Sequence, residues 1–447
     1  MRAMLAAAAM LGTAQAWSSG AVSCALLQTK QARQTPAFHY EPQQMWNLDA
    51  DGGPWRVAGS ELLFPSHGET EVSHLSGGRL EVWRPLQRWR LDLALPATQN
   101  RSHPGKNPAL LPLPERLSDA FPEGRWLAAG RAGWMRCPGM EDFAAGQAEY
   151  MMNTYCSGSY AAVLDKDFRV LARSKIAVEG DDRTEGAVMD LRLFAHSSGR
   201  ILVSFQAYCQ LELTHAFLAE LHLDVGPRFL RAWLRSSELQ RLKDCRKDTA
   251  KKNPGFLESQ GRTYILDRVY PTTAGVLDEI VHHESHNLTT RNGELHVQTT
   301  CLHTEPKLVS AAAPTSPWRN CRGQQGPVRL HNGPSPVWLK DRQVFLGLGH
   351  LRRGRREAAP GYFLPHHYTH QFFLLAGTPP FGLLAVTTEF CFSSRQDEED
   401  CESIQFASSL LLEGDSLLIG LGVQDCESFV HRFDLHYVLG RLINVSG

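Results

Sequence analysis

Asp190 and Arg192 stand two residues apart in Met189-Asp190-Leu191-Arg192-Leu193-Phe194, so on a strand their side chains share one face. A carboxyl group placed there can give or take a proton, and a guanidinium beside it can grip a phosphate or carboxylate through parallel N–H groups. The local alternative is that Asp190 forms a turn at a strand start and Arg192 pairs with it at the surface. Other chemistry-capable side chains recur at comparable places: Lys252-Asn253, Gly349-His350, Tyr368 and His370 in His366-His367-Tyr368-Thr369-His370, Glu402, and Asp425 in Gly422-Val423-Gln424-Asp425. The tract His282-His283-Glu284-Ser285-His286 lacks the zincin spacing, because its Glu precedes the last His by two residues. No Gly-x-Ser-x-Gly elbow, Walker sequence or complete dinucleotide loop occurs, and no metal site is expected. The basic run Arg352-Arg353-Gly354-Arg355-Arg356 reads as a solvated hairpin loop, with an acidic-glycan patch or a processing site as alternatives.

The elements that must position these groups are strands. Short apolar runs such as Arg200–Phe205, Thr263–Leu266 and Gln343–Leu346 are bounded by Gly, Asp or Ser, and long helices do not alternate with them. The best helical stretch, Ser236 to Ala250, is polar on most faces. One phrase repeats: a polar residue, an apolar strand, a turn, a second apolar strand. It runs from Asp190 to Val203, from Asn253 to Leu266, from Pro334 to Leu346 and from Glu402 to Ile419, at intervals of 63 (190 to 253), 81 (253 to 334) and 68 (334 to 402) residues. These spacings suit four-stranded blades with long loops. With the earlier runs Glu81–Trp83 and Tyr160–Leu164, they predict an all-β, five-bladed β-propeller, a pair of β-sandwiches being the other reading.

The four phrases resemble the five-bladed propeller glycosidases, in particular glycoside hydrolase family 130, with its mannoside phosphorylases and related mannosyltransferases. The matching residues are Asp190 with Arg192, Lys252-Asn253, Gly333-Pro334-Ser335 with Gly349-His350, and Asp425 preceded by Glu402 to Phe406. The resemblance implies inverting phosphorolysis, transfer or hydrolysis of a mannoside-like glycosidic bond, with Asp190 as general acid. It implies substrate contacts from Arg192, Lys252, Asn253, His350, Tyr368, His370, Glu402 and Asp425, and a carbohydrate partner joined by phosphate or a sugar phosphate. No cofactor is demanded by such chemistry. Met189, Leu191 and Pro254 depart from the family pattern. They support an alternative, a catalytically inactive secreted propeller that binds glycan or protein.

Compartment and boundaries follow from the remaining features. Arg2, the apolar stretch Ala3–Gly12 and Ala14-Gln15-Ala16 form a secretory signal peptide over residues 1–16. Residues 17–115 are expected to be a β-rich region contributing a first blade, and 116–447 the propeller. All 10 cysteines lie beyond the leader, Cys391 with Cys401 being the most local candidate pair. Sequons at Asn100, Asn287 and Asn444 fit the same route, so the protein is expected to be a secreted or Golgi-lumenal glycoprotein. No later segment has the ~18 uncharged apolar residues of a membrane helix. A net charge of -1 offers no bulk attraction for nucleic acid.

Overall fold

In a computed structural model, the structure describes residues 81–93, 95–98, 101–103, 105–132, 158–180, 188–207, 215–241, 253–269, 273–276, 302–303, 315–319, 325–327, 330–353, 356–359, 362–364, 367–393, 398, 401, 405–423 and 427–444. The signal peptide, Lys252, Glu402, Asp425 and the His282–His286 tract lie outside them.

Apolar runs buried on both faces organise the chain. Ser416–Val423 is buried at every position but its first, and Ser159–Asp165 at every position but its last. A strand covered on both sides reads as a continuous apolar run, which is why neither segment alternates. Five of the sheets formed by the described residues have four or more strands. The first starts at Gly105–Pro112 and runs through Gly124–Ala132, Ser159–Asp165 and Val170–Glu179, the hairpin of His222–Gly226 and Phe229–Arg235 extending its edge. The second holds Val188–Ala195, Ile201–Ala207, His215–Glu220 and Gln240–Arg241; the third holds Gly255–Ser259, Arg262–Arg268, Thr273–Val276 and Leu302–His303. Leu330–Asn332 and Val337–Leu339 both pair with Val344–Arg353 in the fourth sheet, followed by His367–Ala376. The fifth contains Gln405–Glu413, Ser416–Val423 and Glu427–Asp434. Each of the four repeated phrases thus supplies the opening hairpin of a sheet.

The sheets pack in a cycle. Ala109, Ala129 and Val163 of the first meet Leu191, Val203 and Phe205 of the second. Leu202 and Leu218 of the second meet Phe256 and Ile265 of the third, and Leu257 and Tyr264 of the third meet Phe345 and Phe373 of the fourth. Leu348 and Phe372 of the fourth pack on Leu417 and Ile419 of the fifth, whose Leu418 and Val430 pack back on Leu110 and Trp126 of the first. This is the closed, face-to-face arrangement of a β-propeller.

The chain's early strands fasten the ring. Gln87–Leu91 pairs antiparallel with Glu427–Asp434 and completes the fifth sheet, while Glu81–Trp83 pairs in parallel with Phe390–Phe392 of the fourth. Trp83 is buried there, stacked on Phe390 at 4.0 Å. The boundary drawn at 115/116 falls within a hairpin, since Gly105–Pro112 and Gly124–Ala132 pair across it. Of the helical stretch expected over Ser236–Ala250, residues 242–250 lie outside the described residues, and the described part is corrected. Ser236–Glu238 is a single 3-10 turn, and Gln240–Arg241 adds a strand against Phe217 and Leu218, because a free sheet edge offers backbone partners that this polar stretch cannot match by helix packing. Cys391 and Cys401 form a disulfide.

Candidate functional site

Three sheets begin with the same backbone device. Asn107 and Asp190 are the third residues of Gly105–Pro112 and Val188–Ala195, and Asn253 stands two residues before Gly255–Ser259, with φ of 52°, 50° and 55°. Asn and Asp tolerate the left-handed region better than other side-chain-bearing residues. Asn107 and Asn253 also precede prolines, which narrows their backbone further. Non-glycine residues held in such conformations cluster at functional sites, so the equivalent placement of three of them draws attention to the centre of the ring.

Side chains from four sheets meet there. The Asn107 amide Nδ2 donates to Asp190 Oδ1 at 3.2 Å, tying the first sheet to the second. Arg192 Nη1 donates to the carbonyls of Asp190 and Leu191 at 3.2 and 2.9 Å, and its Nε donates to Gly333 O of the fourth sheet at 3.1 Å. The second and fourth sheets do not share a packed core, so this bond can form only where inner strands approach the axis. Phe406 of the fifth sheet lies under the guanidinium, 5.0 Å from ring centroid to Cζ. Its ring meets His350 at 5.1 Å and Tyr368 at 6.2 Å, and those two contact each other at 5.7 Å. Asp190, Arg192, His350 and Tyr368 are therefore brought into one connected cluster around Phe406.

The charge at its centre is deeply placed. Arg192 is only 1% exposed, and burial lowers its pKa to about 10, against the raising effect of Asp190. The guanidinium therefore stays charged at neutral pH. Arg192 Nη2 has no hydrogen-bond partner among the described residues, and the same holds for Asn107 Oδ1, Asn332 Oδ1 and both amide atoms of Asn253. Buried polar atoms left so are costly, roughly 1–3 kcal/mol each.

Other sequence-predicted residues lie elsewhere. Asn253 is 1% exposed at the start of the third sheet. His370 faces His350 in strand register, yet it is 0% exposed, its ring 4.8 Å from Phe392 and 6.0 Å from Phe390. Neither His370 nitrogen has a hydrogen-bond partner among the described residues, and burial pushes its pKa down to about 3. Sequence reasoning missed Asn107, although Lys106-Asn107-Pro108 repeats the tripeptide Lys252-Asn253-Pro254. It also left Phe406 without a role.

One carboxylate and histidine cluster sits apart. Glu220, His222 and Glu238 bring ligand-type atoms within 4.8 Å of one another. Arg200 donates to Glu220 at 2.6 Å, and Arg235 and His222 lie 2.9 and 2.7 Å from Glu238, so these groups form an ion-pair network. Burial raises the Glu238 pKa, but the hydrogen bonds from His222 and Arg235 outweigh it and the net shift is downward.

No protein-family model matches the chain, and no curated protein matches it. Solved structures similar to it include a glycosyl hydrolase from Bacteroides ovatus, at 11% identity and a TM-score of 0.44, covering 78% of this chain and 90% of that one. A β-1,2-mannobiose phosphorylase from Listeria innocua is similar at 12% identity and a TM-score of 0.44, covering 80% of this chain and 99% of that one. A mannose phosphorylase from Leishmania mexicana, solved in complex with phosphate ion, is similar at 12% identity and a TM-score of 0.40, covering 80% of this chain and 91% of that one. Mannoside phosphorylases are also among the proteins that the four sequence motifs resemble.

Proposed function

We propose that the chain is a carbohydrate-active, five-bladed propeller enzyme that breaks or forms a glycosidic bond with inversion, Asp190 serving as general acid. The observation that supports this best is the placement of Asp190, whose Oδ1 is held by Asn107 while the Arg192 guanidinium lies beside it at the junction of four sheets. In the forward direction the Asp190 proton passes to the bridging oxygen as the C1–O bond breaks. An oxygen of phosphate then bonds C1 from the opposite face, or an acceptor hydroxyl or water does so while passing its proton to a carboxylate base, for which Glu402 and Asp425 are proposed. A single acid with a cation at hand suits phosphorolysis or transfer better than hydrolysis, and mannosides head the list of substrates because of the motif resemblance. Phe406, Tyr368 and His350 offer an aromatic wall for a sugar ring. Asn253, Lys252, Glu402 and Asp425 are proposed as further substrate contacts. The leader, the Cys391–Cys401 disulfide and the exposed sequon Asn444 support a secretory-pathway setting.

The inactive-binder reading has its own supporting observation: most Arg192 contacts are to backbone carbonyls, as in a structural staple. Turnover separates the two. The wild type is expected to release a sugar 1-phosphate of inverted anomeric configuration from a panel of mannosides with inorganic phosphate, and Asp190→Asn to lose about 10²–10⁴-fold in kcat, the range for a general acid. Unchanged turnover in Asp190→Asn sinks the acid assignment. Glycan binding by calorimetry without turnover in the wild type establishes the binder.

A further inference from the structure

We propose that Asn107 is a positioning residue for Asp190, fixing which of its two carboxyl oxygens faces a bound ligand. The role rests on the reading of Asp190 as acid. A carboxyl group on a single Cβ turns about χ2 with little resistance, so its two oxygens exchange places unless one is tied. Asn107 Nδ2 donates to Oδ1 at 3.2 Å, and among the described residues Oδ2 receives no hydrogen bond. Oδ2 is thereby the oxygen left to carry and deliver a proton.

Asn107 is itself tightly held. It is 4% exposed, its φ of 52° presents the side chain away from the strand's ordinary direction, and Gly422 of the fifth sheet lies directly against it. A Cβ on Gly422 would stand 1.9 Å from Asn107 Oδ1, so glycine there is what lets the amide reach across to the second sheet. The carbonyl of the next residue, Pro108, accepts from Ser408 and Ser409 Oγ at 2.9 and 3.1 Å, which anchors the backbone from the fifth sheet as well. Three sheets thus fix one hydrogen bond to the candidate acid.

Two variants separate the hydrogen bond from the strained backbone. Asn107→Gly keeps the left-handed conformation at no steric cost and removes only the amide. It is expected to lower kcat at least ten-fold on the substrate that the wild type turns over, with KM within two-fold, since a displaced acid is felt in the transition state. Asn107→Asp keeps size and backbone tolerance but sets a second acceptor against Oδ1. It is expected to lower Tm by several degrees. The double variant N107D/D190N exchanges donor and acceptor across the same contact, and is expected to regain most of that Tm without regaining turnover. Wild-type kcat in Asn107→Gly, or equal losses in kcat and KM, overturns the positioning role, as does a double variant no more stable than Asn107→Asp alone. Wild-type turnover in Asp190→Asn instead overturns the acid assignment, and the positioning role with it.

Discussion

Asp190 and Arg192 were readable as a pair because residues two apart on a regular strand share a face; in the fold the ladder with the next strand shifts register at this point, between Ser204 and Gln206, where Asp190 takes its φ of 50°. What parity could not convey is where the guanidinium donors go. Three of its hydrogen bonds end on carbonyls, one of them 141 residues away, and only the folded ring brings Gly333 near. Asn107 was hidden for the same reason, its partner lying 83 residues further along. A test at this scale uses Gly422. In Gly422→Ala the new methyl overlaps Asn107 Oδ1, and the nearest backbone atom, Asn107 N, is 3.0 Å from it, so the amide must swing off Asp190. Gly422→Ala is expected to cost about 1–3 kcal/mol, the range for overpacking, and to lower kcat as Asn107→Gly does. Chemical denaturation and steady-state kinetics check both halves. Unaltered stability would mean that the strand relaxes and that the contact is not tight.

At the scale of elements, the four hairpins were legible because each is local: an apolar strand, a short turn, and a second strand that returns upon it. The first sheet escaped the same pattern. Its opening strands Gly105–Pro112 and Gly124–Ala132 are separated by a connection that includes the short helix Glu115–Ser118, so no tight turn marks them as a pair. The clasp was equally hidden, since Gln87–Leu91 finds its partner more than 300 residues later, Gln87 lying opposite Arg432. Trp83 offers a test of that clasp. It packs on Phe390 and Phe372 of the fourth sheet and meets Tyr437 of the helix Leu435–Gly440 edge-on at 5.4 Å, whose first turn is capped by Asp434 accepting from Tyr437 N at 2.7 Å. Trp83→Ala removes a fully buried indole and is expected to cost about 3–5 kcal/mol. A urea midpoint within error of the wild type would show that the parallel strand Glu81–Trp83 is an ornament of the ring and not its fastening.

For the whole molecule, the central fact is a closed ring with polar groups turned inward, and two histidines sealed between its fourth and fifth sheets contribute to its response to acid. His370 and His431 flank the Phe392 ring at 4.8 and 5.5 Å and are at most 2% exposed. Burial pushes the His370 pKa down to about 3, and burial, with a smaller push from the Arg88 charge, does the same for His431, where an ordinary histidine titrates at 6.5. Both are neutral in the folded ring and take up protons once the chain unfolds. Their contribution is therefore fully present above about pH 6.5 and is lost as pH falls from 6.5 toward 3. Each protonation difference is worth about 1.4 kcal/mol per pH unit, so the pair steepens the loss to roughly twice that over the lower part of the window. His370→Met, close in volume and unable to titrate, is expected to reduce the slope of stability against pH between 6 and 4 by about half of the pair's share. Urea denaturation at half-unit steps of pH measures it. A slope in His370→Met equal to that of the wild type would place the acid sensitivity in carboxylates elsewhere in the ring and exclude the buried histidine as its source.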